Sequence, residues 1–158
     1  MRSFVVASLL SLGAPFSAHG APPTTESTGL LSRAAAPAAA TVDAFHAALH
    51  RGDTHAAAAL LAEDAVIFES GGVERTKREY AAHHLPADAE FSQSVSSAIT
   101  RRAGYSDGTV AWIASEGRTT GTYKGEPLAL ATTETMILRR FGEDWKIAHI
   151  HWSSAAGH

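Results

Sequence analysis

Beyond residue 40 the chain changes from an unpatterned stretch to one with clear periods. Val42, Phe45 and Leu49 recur at i, i+3 and i+7, the spacing of one helical face, so a first helix is predicted from Thr41. Gly52 suits the left-handed position after a helix, and Asp53 can cap the next one. That second helix carries Ala57, Leu60 and Leu61 inward and is expected to end near Glu63-Asp64. Ala65-Val-Ile-Phe68 reads as a short strand closed by Ser70-Gly71-Gly72. Thr76 and Glu79 form a capping box that starts a third helix, running through Tyr80 and His84 and stopping before Pro86. The remainder is extended, over roughly 91–104, 109–123, 127–141 and 145–153, with Asp107-Gly108 and Lys124-Gly125 supplying hairpin turns. Helices followed by a meander of long strands predict an α+β domain: three N-terminal helices packed on one face of a curved antiparallel sheet.

Alternation along the last strand sets Ala148, Ile150 and Trp152 on one face and Trp145, Ile147, His149 and His151 on the other. Both faces are then apolar, and an apolar outer face needs a cover. A homodimer through the outer sheet face is the expected solution. A bulge in this strand would reverse the assignment.

The first forty residues are of a different kind. Arg2, the apolar run Phe4–Leu12 and the small residues Ala18 and Gly20 are the three parts of a cleavable signal peptide over residues 1–20. The run is too short to span a bilayer, which takes about 20 residues. Export to the periplasm or beyond is therefore expected, with no membrane association after cleavage. Residues 21–40, rich in Pro, Ala, Thr and Ser, read as a flexible leader, and 41–154 as the single folded domain. The absence of cysteine from all 158 residues excludes disulfides, thiolate zinc sites, thiol nucleophiles and a lipoprotein anchor. A net charge of −3 offers no basic surface for nucleic acid.

Two segments carry a family likeness. Phe45-His-Ala-Ala-Leu-His-Arg-Gly-Asp53, followed by Leu60-Leu-Ala-Glu-Asp-Ala-Val-Ile-Phe-Glu69, resembles the opening of ketosteroid isomerases and SnoaL-like proteins. The tail Trp145–Ser153 is similar to the closing strand of the association domain of calmodulin-dependent kinase II. The resemblance covers about residues 41–153. It implies the cystatin-like, nuclear-transport-factor-2-like cone, a fold that hosts isomerases, dehydratases, binding modules and assembly domains.

Carried over by position, the resemblance places Glu69 where ketosteroid isomerases keep their proton-shuttling carboxylate. Phe45 stands where those enzymes place an oxyanion-stabilising tyrosine, and it has no hydroxyl to donate. His84 stands at a pocket-lining position on the third helix, one turn from Tyr80, with His83 at the rim. The family's protonated Asp on the penultimate strand is missing. Glu134 lies nearby, flanked by Thr133 and Thr135, and the hairpin register decides whether it points in. Ile150 and Trp152 face the pocket by the same likeness, which sends His149 and His151 outward.

Three functions are compatible with these residues. One is a pocket for a small, largely apolar molecule, with Glu69 and His84 able to support isomerase- or dehydratase-type acid–base chemistry and no cofactor needed. A second is metal binding through the H-x-H pair His149 and His151. The third is a non-catalytic dimerising module. His46 and His50, spaced i, i+4, read as solvated helix surface.

Overall fold

The structure, a computed structural model, describes residues 30–157. The expected signal peptide over residues 1–20 and the first part of the expected leader lie outside the described residues. Four helices and six strands follow in the order α1 (Ala36–His50), α2 (Thr54–Ala59), β1 (Leu61–Glu69), β2 (Gly72–Glu74), α3 (Lys77–His83), α4 (Leu85–Ser94), β3 (Val95–Ser106), β4 (Val110–Tyr123), β5 (Glu126–Phe141) and β6 (Asp144–Ala156). The strands make one sheet in the order β2-β1-β6-β5-β4-β3. Strands β3 to β6 form the antiparallel meander. Strand β1 adds to it in parallel beside β6, and β2 turns back antiparallel at the edge. The predicted α+β architecture is the observed one.

Three elements differ from the sequence-based expectation. The folded chain begins before Thr41: Ser32 N donates to Gly104 O on β3 at 2.9 Å, and α1 starts at Ala36 with Pro37 in its first turn. Proline favours that position because its missing N–H falls among donors a helix leaves unpaired anyway. Pro86 does the same for α4, a fourth helix where extended chain was expected; it ended α3 and began the next helix in one stroke. The second helix is shorter than predicted, ending at Ala59, so β1 is nine residues long.

Local chemistry fixes the connections. Asp53 Oδ1 accepts from Ala56 N at 2.9 Å and Thr76 Oγ1 from Glu79 N at 3.1 Å, so both predicted caps form. Glu79 reaches back to Arg75 N rather than to Thr76, a variation on the box. The turns at Gly108 and Lys124-Gly125 use positive φ, as hairpins with this twist require.

The inner face of the sheet is read in cross-strand rows. At the closed end, Ala111, Leu138, Ile147 and Leu61 lie in register, followed by Ile113, Met136, Ile150 and Ile67; all eight are buried. Val42, Phe45, Ala48 and Leu49 of α1 and Tyr80 of α3 close over them. One irregularity makes these rows continuous. Ile137 pairs with His149 and Leu138 with Ile147, so Ala148 is bulged out of the ladder. Trp145 and Ile147 therefore share the inner face with Ile150 and Trp152, correcting the alternation that put them outside. His149 and His151 face outward.

Candidate functional site

The next row on the inner face is polar. Arg102, Ser115, Glu134, Trp152 and Glu69, from five strands, stand side by side above the apolar rows. Beyond them come small and hydroxyl-bearing residues, Gly117, Thr132 and Ser154, then Ser97 and Thr119. Because the side chains shorten toward this end, α1 and α4 cannot close onto the sheet. A cavity of about 580 Å³ remains between them, lined among others by Asp43, His46, Glu69, Asp88, Phe91, Ser115, Thr119, Thr132, Glu134 and Trp152. Its volume is that of ordinary small-molecule sites, which run about 300–1,000 Å³.

Glu134 organises the floor. Its Oε2 accepts from the Trp152 indole N–H at 2.8 Å and contacts His46 Nε2 at 2.7 Å. Only 9% of Glu134 is exposed. Burial alone would raise its pKa, but the hydrogen bonds of His46 and Trp152 and the nearby Arg102 outweigh it and hold the carboxyl below its ordinary value. Arg102 is fixed by Asp43 at 2.6 Å and by Ser115 Oγ at 3.1 Å. The floor thus carries an ionised carboxylate among donors.

The mouth carries the opposite kind of acid. Glu69, at the end of β1, is an exposed residue, yet partial burial of its carboxyl and then the charge of Asp88 push its pKa up, with His84 opposing. Asp88 accepts from the Tyr80 hydroxyl at 2.6 Å; burial raises its pKa, against the pull of Tyr80 and His84. Burial also drives the Tyr80 phenol upward, so it stays a donor. Two carboxyls at one mouth, each with its pKa raised above the ordinary value, hold a proton more readily than free carboxyls do.

The sign of this coupling is testable. A carboxyl whose folded pKa is raised costs stability once pH climbs above its unfolded value, 3.8 for Asp88. Asp88→Asn is therefore expected to melt at a higher temperature than wild type at pH 7, with the gain closing toward pH 4. A gain that is independent of pH would contradict the assignment. Glu134 has the reverse sign: its contribution is present above about 4.5 and is lost as pH falls through its lowered value.

The sequence-derived candidates are distributed as follows. Glu69, Glu134 and Trp152 line the cavity. Phe45 and Ile150 are fully buried in the core beneath it, Phe45 stacked on Trp152 with ring centroids 6.3 Å apart. Tyr80 is buried and acts through Asp88. His84 caps the end of α3, mostly exposed and paired through Nδ1 with the buried Glu74, within electrostatic range of Glu69 and Asp88. His83 is exposed and outside the cavity. His149 and His151 lie on the outer face beside Phe68, with His149 Nδ1 2.9 Å from Val66 O. Among the described residues no three His, Asp or Glu side chains are grouped to hold a metal ion.

Asp88, His46 and Arg102 were not among the candidates. Asp88 sits on α4, whose start was readable from Pro86. His46, expected on solvated surface, turns inward to Glu134, while His50 Nδ1 rests 3.0 Å from Ser92 O.

With this geometry in hand, comparison with known proteins is informative. A model of the SnoaL-like domain matches residues 38–157. The chain belongs to the SnoaL-like family. A candidate ketosteroid isomerase from Shewanella frigidimarina is 35% identical to this SnoaL-like protein over 79% of the chain and 98% of its own, with a TM-score of 0.71. Two more distant structures share the fold. A candidate calcium/calmodulin-dependent protein kinase II association domain from Xanthomonas campestris has 24% identity, TM-score 0.62, and coverage of 75% and 85%. A candidate dehydratase of the NTF2-like family from Streptomyces avermitilis has 16% identity, TM-score 0.63, and coverage of 78% and 97%. No curated protein matches this SnoaL-like sequence.

Proposed function

We propose that this SnoaL-like protein is an exported, pocket-forming acid–base protein that acts on a small molecule by isomerase- or dehydratase-type proton transfer, with Glu69 as the proton-carrying group. The observation that carries this reading is the placement of Glu69 at the mouth of the cavity, its carboxyl made more basic by burial and by Asp88. A base in this position can take a proton from carbon at neutral pH and return it elsewhere on the ligand. The Shewanella relative, a candidate ketosteroid isomerase, is consistent with that chemistry.

The test is hydrogen–deuterium exchange at carbon. Purified protein in D₂O is mixed with a panel of carbonyl compounds, hydroxylated and not, and α-proton loss is followed by NMR. Wild type is expected to accelerate exchange of at least one compound, and Glu69→Gln to slow it by about 10²–10⁴-fold, the usual contribution of a positioned general base. Exchange unchanged in Glu69→Gln would overturn the assignment.

Export rests on the N-terminal sequence. Expressed in a Gram-negative host, the protein is expected in the periplasmic fraction with a mass beginning at Ala21. Recovery of the full-length chain from the cytoplasm alone would contradict it.

We also propose that two copies pair through the outer sheet face. Tyr105, Trp112 and Ile137 lie in one cross-strand row there and Phe68 and Val73 in the next, each 38–56% exposed. Ala103 and Ala114 continue that second row at the β3–β4 edge, with His151 and Thr135 between them and Phe68.

A further inference from the structure

His46 spends one ring nitrogen on the floor of the cavity and keeps the other open. Its Nε2 lies 2.7 Å from Glu134 Oε2, an atom that also accepts from the Trp152 indole. Among the described residues its Nδ1 is neither buried nor hydrogen-bonded, and 41% of the side chain is exposed where the ring lines the cavity. His50, the other histidine of the lining, has its Nδ1 on Ser92 O at 3.0 Å. A carboxylate accepts and cannot donate, so the Nε2 that faces Glu134 carries the hydrogen. Nδ1 is then the nitrogen that gains and loses a proton. Glu134 is itself held by Trp152, with Arg102 fixed behind it by Asp43 and Ser115. A ring oriented by a buried carboxylate in this way is locked in one tautomer and one direction.

We infer that His46 is a second catalytic group, which protonates the leaving oxygen of a β-hydroxy carbonyl compound, with Glu134 as its positioning residue. The inference rests on the proposed function above and assigns the other half of its chemistry. Glu69 and Glu134 lie in one row with Trp152 between them, two strand spacings or about 10 Å apart. A small molecule bridges that gap when each reacting atom sits about 3 Å from its partner, the C–H toward Glu69 and the hydroxyl toward His46. Glu69 takes the proton from carbon, and the C–H electron pair becomes the new C=C bond. The C–O bond breaks with its electrons going to oxygen, which takes the proton of Nδ1 and leaves as water. Glu69 ends protonated and His46 neutral; one proton lost to solvent by the first and one gained by the second restore the pair. Imidazole suits this role because it both donates and accepts near neutral pH.

The probes are the β-hydroxy ketone formed by aldol addition of acetone to benzaldehyde, and its para-nitrophenyl ether. Both eliminate to the same enone, followed by absorbance, but nitrophenoxide leaves without a proton and hydroxide needs one. His46→Gln is expected to slow loss of water by about 10²–10⁴-fold, the usual worth of a positioned proton donor, and loss of nitrophenoxide by less than about threefold. Glu134→Gln should show the same selectivity, whereas Glu69→Gln should slow both. A substitution that merely loosens the pocket slows the two alike, so their ratio reports proton donation alone. Equal slowing of both compounds in His46→Gln, or of neither, overturns the inference and leaves the role of Glu69 standing. Wild type that accelerates neither elimination sinks both. His46→Asn repeats the comparison should His46→Gln fail to fold.

Discussion

Phe45→Ala is expected to destabilise the domain by about 3–5 kcal/mol, the usual cost of emptying a buried aromatic site. For a domain of this size the melting temperature should fall by roughly 10–25 °C. Phe45 is fully buried, contacts the His46 ring edge-on at 5.8 Å and stacks on Trp152. It is thus the piece that joins α1 to the polar row of the sheet. Its loss removes apolar area and also the support beneath Trp152, whose indole N–H holds Glu134. The second consequence separates this site from an ordinary core position. Thermal melts give the first effect; the Trp152 indole resonance in the folded variant gives the second. A drop of less than 1 kcal/mol would mean that the packing around Phe45 is looser than the structure has it.

Trp112→Glu combined with Ile137→Glu is expected to turn the proposed dimer into a monomer. The two residues are direct cross-strand neighbours, and both are partly exposed on the outer face. In a face-to-face pair they would be the aromatic and aliphatic anchors that carry most of the binding energy. A carboxylate forced between two apolar sheets either loses hydration or keeps the sheets apart, so the dissociation constant should rise about a hundredfold or more. Sedimentation of wild type and the double variant checks this. Wild type that sediments as a monomer at micromolar concentration refutes the paired state directly.

The fold was legible because its signals are local. Asp107-Gly108 and Lys124-Gly125 mark turns wherever they occur, and Thr76 and Asp53 cap their helices with their own side chains. What escaped were features with two meanings or with distant causes. Pro86 both stops and starts a helix, and only the stop was taken, so α4 and its Asp88 went unread. The bulge at Ala148 leaves no mark in composition; it arises because Leu138 and Ile147 must share the core with Met136 and Ile150. His46 looked solvated because Glu134, its partner, lies eighty-eight positions away and on a strand whose register only tertiary structure decides. The family's own positions led to Glu69, Trp152 and Glu134, while Arg102 and His46, which complete the charged floor, were not singled out by the likeness.

The extra residue in the last strand has an evolutionary side. Because facing alternates residue by residue, Ile147 and Ile150, three positions apart, share a face only through this extra residue; a straight strand that kept Ala148 in the ladder would swing His149 and His151 into the hollow and Ile150 and Trp152 onto the surface. Loss of its codon would instead leave a regular strand with the same residues inside, His149 and His151 still facing out. Members of this lineage one residue shorter at this spot are then expected to keep the same pocket lining, and those of equal length to keep it only where the ladder still skips a residue.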